Sequence, residues 1–457
     1  MHARLVSVLG LGFGDCGKGL FIDALCRQLQ AHTVVRFNGG AQAAHNVVLP
    51  DGRHHTFSQF GAASFQPGVH TLLAYPVIVH PTALLVENHY LQRAGVTDAL
   101  PRLLIDGRCR LTTPFHQAAG RMRELARGAA AQGSCGVGVG ETVRHDLMHP
   151  ELTLRYADLL APRSALDRLE ALRASLLAAL DAEHGARGLA HSTAYRQERA
   201  VLCDRALAGH WLARTQDLLR LAPPAAHATV AQRLQQKGTV LFEGAQGVLL
   251  DEWRGFHPYT TWSSINTAAV EAVAADASLH QHIEHFGALR SYLTRHGNGP
   301  FPTHDSRLDI LPEQHNSGAG WQGEFRRGHP DALLLRYALA VVGKLDGLLV
   351  SHLDAVAQPN GLAWCDAYEA PLAPQDQQLC QRDGAGRITA LLPGAAQDLA
   401  HQARLTSLLS AARPVIDTAP IAGAGQFVEQ LEARAGLPVV MTSCGPTFAS
   451  VSAVRAA

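Results

Sequence analysis

The sequence predicts an α/β fold in which a mostly parallel central sheet is flanked by helices. Two observations carry this prediction. Apolar runs typical of strands alternate with helical patterns, and polar segments containing glycine follow several of these runs. The chain has 457 residues, of which 47% are hydrophobic, and this is enough for a large core. We also expect a helical insertion and a small C-terminal subdomain.

The first part of the core is predicted over residues 1–160. Its strands and helices alternate in order: strand 5–9, helix 20–29, strand 33–37 and strand 72–79. Pro81 follows the last of these and suits the first turn of a helix, where its missing amide hydrogen has no partner to lose.

The rest of the chain divides by composition. Residues 161–236 are rich in Ala, Leu and Arg with apolar residues at helical spacing, which predicts the helical insertion. Strand patterns return in 237–357, the predicted second part of the core. Residues 358–457 are predicted as a C-terminal part, with a small subdomain near 358–400 and a last short strand and glycine turn over 439–446.

Charge and hydropathy exclude several classes of protein. The 39 basic and 39 acidic side chains cancel, so the chain has no bulk electrostatic footprint for nucleic acid or a membrane surface. The most apolar late segment, 332–350, is interrupted by three charged residues and is too broken to span a bilayer. The N-terminus reads as a strand rather than a signal peptide. The eight cysteines form no Cys-x-x-Cys pair, which favours reduced thiols in the cytoplasm.

The most informative segment is the glycine loop, residues 12–19, with the sequence G-F-G-D-C-G-K-G. A strand precedes it and a helix follows, so its backbone N–H groups, Lys18 and the helix dipole could hold phosphates, which makes the predicted fold P-loop-like. The position after Lys18, where such loops carry a Ser or Thr that binds Mg²⁺, is Gly19. Asp15 lies inside the loop and could bind Mg²⁺ or act as a base, or it could only cap the helix. Cys16 could be a nucleophile or small loop filler.

Other polar segments follow predicted strands and could line the same cleft, because parallel strands end at one edge of a sheet. His45 could reach Asp15, or be an ordinary histidine. The amide of Gln246 could bind the edge of a heterocycle, or brace its turn. Asp354 could grip the N1–H and N2–H groups of guanine, or cap a helix.

Together these segments resemble the adenylosuccinate synthetase family. Residues 10–19 and 34–45 are similar to that family's G-x-x-x-G-D-E-G-K-G and V-V-R-[YF]-x-G-G-x-N-A-G-H. Further matches follow in order along nearly the whole chain: 242–251 to F-E-G-A-Q-G-x-L-L-D, 258–267 to P-[YF]-V-T-S-S-N-T, 294–303 to T-R-V-G-x-G-P-F-P-T, and both 353–354 and 443–446 to the guanine-contacting ends.

The resemblance implies a ligase that forms a C–N bond at the expense of GTP. Enzymes of that family remove the N1 proton of IMP and transfer the γ-phosphoryl group of GTP to O6. The amine of L-aspartate then displaces phosphate, which gives adenylosuccinate. Mg²⁺ would be the metal cofactor and GTP a co-substrate. The resemblance also implies a homodimer whose subunits share their sites.

Site residues carry over by position. The implied catalytic residues are Asp15, His45 and Gln246, and the implied metal ligands are Asp15 and Ala44. The implied GTP-binding residues are Gly12, Gly14, Cys16, Gly17, Lys18, Gly19, Asp354, Ser443 and Gly445. The implied acceptor-binding residues are Gln42, Cys135, Gln246 and Thr261. The implied amino-acid-binding residues are Arg326 and Arg327.

Departures from the family pattern concentrate on the acceptor and donor side. Cys135 stands where the family's G-T-T-G-R-G-I-G has the threonine that binds the IMP phosphate, and residues 321–327 keep two of the four arginines of T-T-G-R-R-R-R. Gln42 replaces an Asn, Ala44 a Gly, and Cys16 a Glu. Three functions therefore stay open: the family's own activity, which the overall match favours; a paralogous GTP-dependent ligase with another acceptor or amine donor; and a GTP-binding protein without catalysis, against which the retention of both Asp15 and His45 counts.

Overall fold

The structure is a computed structural model that describes residues 3–185, 192–316, 320–356 and 361–454. Within these residues it is a mixed α/β protein whose large central sheet is flanked by helices, which confirms the predicted fold class. None of the helices in these segments is both long and apolar enough to cross a membrane.

The described residues form twenty strands. Their bounds are β1 Arg4–Gly10, β2 Ala31–Arg36, β3 His45–Val48, β4 His54–Phe57, β5 His70–Leu73, β6 Ile78–Val79, β7 Leu103–Asp106, β8 Arg110–Leu111, β9 Pro224–Ala225, β10 Thr239–Glu243, β11 Ile283–Arg290, β12 Leu293–His296, β13 Phe325–Gly328, β14 Gly347–Ser351, β15 Cys365–Glu369, β16 Cys380–Arg382, β17 Ile388–Leu391, β18 Arg413–Ile416, β19 Val439–Ser443 and β20 Val451–Ala453.

Twelve α-helices lie in the same described segments. Their bounds are α1 Lys18–Leu29, α2 Pro81–Arg93, α3 Pro114–Arg127, α4 Val139–Met148, α5 Pro162–His184, α6 Thr193–Cys203, α7 Leu207–Leu221, α8 His227–Leu234, α9 Thr267–Asp276, α10 Ala332–Val342, α11 Leu399–Ala411 and α12 Ala424–Ala435. Pro81 opens α2 at its first turn, as predicted.

The central sheet positions the candidate site. Its ten strands run in the order β20-β19-β14-β11-β1-β10-β2-β5-β7-β9, and every neighbouring pair is parallel except β19 with β20. The carboxyl ends of β1, β2, β10, β11 and β14 therefore meet at one edge. The loops that follow these central strands carry most of the predicted site residues.

Both faces of the sheet are buried, because the side chains of a strand alternate between them. On β1, Leu5 and Leu9 belong to one hydrophobic cluster, while Val6 and Val8 belong to a second. Residues of α1, including Phe21, pack in the second cluster. A near-continuous apolar strand is what a parallel sheet covered on both sides requires.

Two features of the sheet differ from the sequence prediction. The strand predicted over 72–79 is wrong in its extent: β5 ends at Leu73, and β6 pairs with β8 in a separate two-stranded sheet. Pro76 lies between them and cannot donate a hydrogen bond to a ladder. Strand β11, which lies between β1 and β14, was not predicted.

The proposed division of the chain remains a prediction. Helices α5 to α8 lie within residues 161–236, and a four-stranded antiparallel sheet, β16-β17-β15-β18, lies within 358–457. The boundary placed after residue 357 falls outside the described residues.

Candidate functional site

The glycine loop runs from the end of β1 to the start of α1 in a conformation that depends on its glycines. Gly14 and Gly17 have φ values of 107° and 81°, in the left-handed region that glycine adopts without strain. Asp15, between them, has φ 46°, which is uncommon for a residue with a side chain. Such backbone outliers cluster at functional sites, because the surrounding structure must hold them in place.

Gly247, in the segment after β10, allows that segment to pack against the glycine loop. A Cβ atom on Gly247 would lie 2.6 Å from the backbone nitrogen of Gly14 and closer still to the carbonyl oxygen of Gly12. Gly17 is equally close to β14, where an added Cβ would lie 2.7 Å from Cβ of Ser351. The loop is therefore held between the ends of β10 and β14.

Lys18 is a buried cation at the start of α1, with 3% of its surface exposed. Its Nζ donates to the carbonyl oxygen of Gln246 at 2.6 Å and contacts Sγ of Cys16 at 3.4 Å. No carboxylate pairs with it among the residues that the structure describes. Since a buried charge is costly unless paired, this arrangement favours an anion beside Lys18.

His45, at the start of β3, is hydrogen-bonded through Nδ1 to the carboxylate of Glu243, at the end of β10. The other carboxylate oxygen accepts from the backbone nitrogen of Ala62 at 2.9 Å. Burial lowers the pKa of His45 to about 4, against the opposing effect of Glu243. Burial would raise the pKa of Glu243, but the charge of Arg36 together with the hydrogen bonds from His45 and Ala62 outweighs it, so that pKa is lowered. The carboxylate is therefore ionised and fixes the orientation of the imidazole.

His45 also touches the glycine loop. A Cβ atom on Gly19 would lie 3.0 Å from Cβ of His45. The structure thus brings His45, Lys18 and the loop together at the ends of β1, β2 and β10, as the sequence predicted.

Asp15 is held at both its main chain and its side chain. Arg290, at the end of β11, donates its Nε–H to the carbonyl oxygen of Asp15 and its Nη1–H to Glu313 at 3.1 Å. The carboxylate of Asp15 lies 3.6 Å from Nε2 of His296, with 20% of its side chain exposed. Burial would lower the pKa of Arg290, but Tyr292, Glu313 and Asp15 together raise it, so the guanidinium stays charged.

Two amide side chains near this edge are buried without hydrogen-bond partners. Within the part of the chain that the structure describes, neither end of the Gln246 amide and neither end of the Gln42 amide has a partner. Gln246 has φ 57°, and its amide packs against Gly39, where an added Cβ would lie 3.0 Å from Oε1. Buried amides are normally paired, so these two are candidates for binding a ligand that offers both a donor and an acceptor.

Cys135 lies in the turn before α4, and burial raises the pKa of its thiol. The turn is covered by Trp321, whose ring contacts Gly136. Arg121 is the nearby cation, and it donates to the carbonyl oxygen of Gly136 at 2.8 Å and to Glu198 at 3.2 Å. Thr261 donates its backbone N–H to the carbonyl oxygen of Leu250 at 2.9 Å.

The residues predicted to bind guanine lie after β14 and at the end of β19. Asp354 is exposed. Ser443 is buried and its hydroxyl donates to the carbonyl oxygen of Gly445 at 2.6 Å, which closes the turn. Ser351, at the end of β14, donates to the carbonyl oxygen of Cys16 at 3.3 Å and so links this end to the glycine loop.

The predicted amino-acid-binding arginines are both engaged with protein acceptors. Arg326 donates to the carbonyl oxygens of Gly297 and Gly299, and Arg327 donates to Asp309 at 3.1 Å. Neither contacts Asp15 or His45 among the contacts of the described residues.

Sequence reasoning missed three side chains of this site: Glu243, Arg290 and His296. Glu243 is the last residue of a buried strand and directly precedes Gly244. A carboxylate at the end of a buried strand could have identified it as a site residue. Arg290 ends β11, whose apolar residues 286–289 could have indicated a strand. His296 carries no local signal, because only the fold brings it to Asp15.

The donor set suits Mg²⁺ better than a metal held by protein alone. The described residues contain no group of three or more His, Cys, Asp or Glu side chains that could hold a metal ion. Mg²⁺ typically binds through one or two carboxylates together with substrate phosphates and water. Asp15, beside a loop suited to phosphates, fits that requirement; Ala44 is exposed and could offer only its carbonyl oxygen.

Comparison with known proteins gives a matching family and similar solved structures. A family model described as adenylosuccinate synthetase matches residues 7–451. The chain is 31% identical to the adenylosuccinate synthetase of Mycobacterium tuberculosis over 452 residues, which cover 96% of each protein. The fold is similar to the fully ligated adenylosuccinate synthetase from Plasmodium falciparum, with a TM-score of 0.71 at 17% identity over 99% of this chain and 100% of that one. It is also similar to the cyanophage S-2L succinoaminodeoxyadenylate synthetase bound to dGMP and to dATP as an energy donor, with a TM-score of 0.60 at 16% identity over 100% of this chain and 97% of that one.

Proposed function

The chain belongs to the adenylosuccinate synthetase family, and on that premise we propose that it is a GTP-dependent C–N ligase acting on IMP and L-aspartate. Its products would be adenylosuccinate, GDP and phosphate. The observation that carries the proposal is the meeting of Asp15, Lys18 and the His45–Glu243 pair at the carboxyl ends of β1, β2 and β10.

The acceptor must be activated before an amine can replace its oxygen, because oxide is a poor leaving group. Asp15 would take the N1 proton of the 6-oxopurine, and the electron pair would move onto O6. That oxygen then attacks the γ-phosphorus of GTP, and GDP leaves. The amine of aspartate adds at C6, loses a proton, and expels O6 as part of inorganic phosphate. Asp15 suits the role of base because a carboxylate with 20% exposure can reach both solvent and a bound ligand.

Phosphoryl transfer depends mainly on positioning and on electrostatic stabilisation. The N–H groups of the glycine loop and Nζ of Lys18 would hold the phosphates of GTP. His45 would contact the transferring group through Nε2, since Nδ1 is committed to Glu243. Although its pKa is about 4 in the absence of ligand, an adjacent polyanion favours the protonated imidazole, in which both nitrogens donate.

The remaining groups would bind and orient the substrates. The unpaired amides of Gln246 and Gln42 would meet the lactam edge of the acceptor. Asp354 and the Ser443–Gly445 turn would contact guanine. When bound by Asp15 and the phosphates, with the Ala44 carbonyl as a further ligand, Mg²⁺ would supply neutralisation of phosphate charge.

We further propose that the protein is a cytoplasmic homodimer, as the family resemblance implies. Light scattering coupled to size-exclusion chromatography tests the assembly: a mass of about twice 48.9 kDa supports a dimer. A monomer that is fully active would overturn it.

The proposed reaction is tested by incubating the protein with GTP, Mg²⁺, IMP and L-aspartate and measuring products by mass spectrometry. Equal amounts of adenylosuccinate, GDP and phosphate are expected. Omission of IMP should abolish aspartate consumption. Failure of this mixture alongside turnover with another acceptor or amine would overturn the proposal.

Three observations favour a second candidate, a paralogous ligase with another acceptor or donor. Trp321 covers the turn that carries Cys135, Arg121 is already paired, and Arg326 is bonded to backbone carbonyls. A screen of oxo-heterocycles and amino acids under the same conditions distinguishes the two candidates. Binding of GTP without turnover of any pair would instead indicate a non-catalytic protein.

A further inference from the structure

One ring nitrogen of His296 faces two oxygen acceptors. Its Nε2 lies 3.6 Å from Oδ2 of Asp15 and 3.4 Å from Oδ1 of Asn316. Only a protonated nitrogen interacts favourably with two oxygen acceptors, so the arrangement places a proton on Nε2. The other nitrogen, Nδ1, is buried and has no hydrogen-bond partner among the described residues.

The contacts of His296 continue into a closed ring around Asp15. Asn316 is hydrogen-bonded to Glu313, and Glu313 accepts from Arg290 at 3.1 Å. Arg290 in turn donates to the carbonyl oxygen of Asp15. The ring therefore returns to the residue at which it began, and it fixes both the backbone and the side chain of Asp15.

The ring of His296 is itself held in place. His296 pairs with Phe325 across the antiparallel strands β12 and β13, and the two ring centroids are 4.9 Å apart. The next residue, Gly297, donates its backbone N–H to the carbonyl oxygen of Glu324 at 3.0 Å. A side chain on a paired strand is a more precise support than one on a free loop.

Asp15 needs such a support. Its φ of 46° is unfavourable for a residue with a side chain, and its carboxylate is partly exposed, so the residue would adopt other rotamers if nothing held it. An interaction that engages Oδ2 leaves Oδ1 for the acceptor proton or the metal.

We propose that His296 is a positioning residue for the reaction, which holds the Asp15 carboxylate through Nε2 in the orientation that turnover requires. This inference rests on the proposed function, in which Asp15 is the base. The family pattern quoted above has valine at this position, so the interaction is a feature of this chain.

Three substitutions separate the role of Nε2 from the role of bulk. The amide nitrogen of His296→Gln can occupy the place of Nε2, that of His296→Asn reaches only the place of Nδ1, and His296→Leu fills space without a donor. We expect His296→Leu and His296→Asn to lower kcat by roughly 10–100-fold, as loss of a supporting polar contact commonly does, with the KM for GTP nearly unchanged. His296→Gln should restore most of the rate.

Melting temperatures of the three variants show whether they fold. Equal rates in the Gln and Leu variants, rescue by Asn in place of Gln, or a wild-type rate in His296→Leu would each overturn the proposal. The Asp15→Asn variant, measured in parallel, separates the two levels of inference. If it turns over normally, the proposed base is wrong; if it is inactive while His296→Leu is active, only the role of His296 is wrong.

A measurement without substrate keeps the proposal testable if no acceptor is turned over. In long-range ¹H–¹⁵N spectra of histidine-labelled protein, the signals absent from His296→Gln belong to His296. They should show the tautomer with a proton on Nε2 and should shift in Asp15→Asn. The Nδ1 tautomer, or signals indifferent to Asp15→Asn, would overturn the inference.

Discussion

Nδ1 of His45 is hydrogen-bonded to the carboxylate of Glu243, which is fully buried and also accepts from the backbone nitrogen of Ala62. Glu243 ends β10 of the central sheet and His45 begins β3 of the separate β3–β4 sheet, and the pair fixes which imidazole nitrogen faces the glycine loop. A side chain that orients a catalytic histidine contributes to turnover even though it touches no substrate.

The first prediction concerns this pair. Glu243→Ala should destabilise the fold by about 1–3 kcal/mol, because it leaves two buried donors unpaired. Glu243→Gln retains an oxygen that can accept from Ala62, so this variant should be more stable than Glu243→Ala. Its kcat should still fall roughly 10–100-fold, because a neutral amide orients the imidazole of His45 less firmly than an ionised carboxylate does. Urea unfolding and steady-state kinetics measure the two effects. A wild-type kcat in Glu243→Gln would show that Glu243 is only structural.

The second prediction concerns the buried cation. Lys18→Met should abolish measurable GTP binding, since it removes the charge that meets the phosphates. The same change should leave the melting temperature of the ligand-free protein equal or higher, because an unpaired buried ammonium group is costly. Lys237→Met, at an exposed position, is the matched control and should alter neither quantity. Calorimetric titration with GTP and thermal unfolding test this, and retained GTP affinity in Lys18→Met would contradict it.

The third prediction concerns Gly247, whose φ of −136° any residue can adopt. Its replacement by Ala is therefore a test of space alone. The added methyl group would collide with the backbone of Gly12 and Gly14, and we expect a loss of about 1–3 kcal/mol together with weaker GTP binding. Gly209→Ala, in α7 with open space around it, should instead stabilise the protein by up to about 1 kcal/mol. Equal effects of the two changes would refute the packing of the loop against the end of β10.

The fourth prediction is a pH dependence of stability. Burial, reinforced by the charge of His145, lowers the pKa of His116 from 6.5 to about 3. Between these values the unfolded chain binds a proton that the folded protein does not, so the free energy of unfolding falls as the pH falls. This residue alone contributes a slope of about 1.4 kcal/mol per pH unit below pH 6.5.

The control for this dependence is His116→Asn. Nδ1 of His116 accepts from the backbone nitrogen of Thr113 at 3.2 Å, and the Asn oxygen can do the same without titrating. Urea unfolding of both proteins at pH 6.5 and pH 5 should give a shallower decline for the variant. Identical declines would show that His116 does not titrate as the structure requires.

The sequence was most informative where chemistry depends on neighbours in the chain. The glycine loop was recognised from its own residues, and so was its place between a strand and a helix, because that arrangement is local. His45 and Gln246 could be assigned to the same cleft because parallel strands end at one edge. These inferences needed no distances.

The supporting residues could not be predicted in this way. His296 is 281 positions from Asp15, and nothing in either segment signals their contact. Arg290 was missed because β11 was missed, although that strand lies beside β1 in the sheet. The predicted strand over 72–79 was wrong because Pro76 has no N–H to donate and interrupts the hydrogen bonding between strands. This interruption outweighs the apolar character of the segment.

The central claim is that GTP activates the acceptor by phosphorylating its 6-oxygen. The most direct test uses IMP labelled with ¹⁸O at position 6, together with GTP, Mg²⁺ and L-aspartate, and follows the label by mass spectrometry. The account predicts one ¹⁸O atom in the released phosphate for each adenylosuccinate formed. Adenylosuccinate formed with unlabelled phosphate, the ¹⁸O appearing in water, would contradict it.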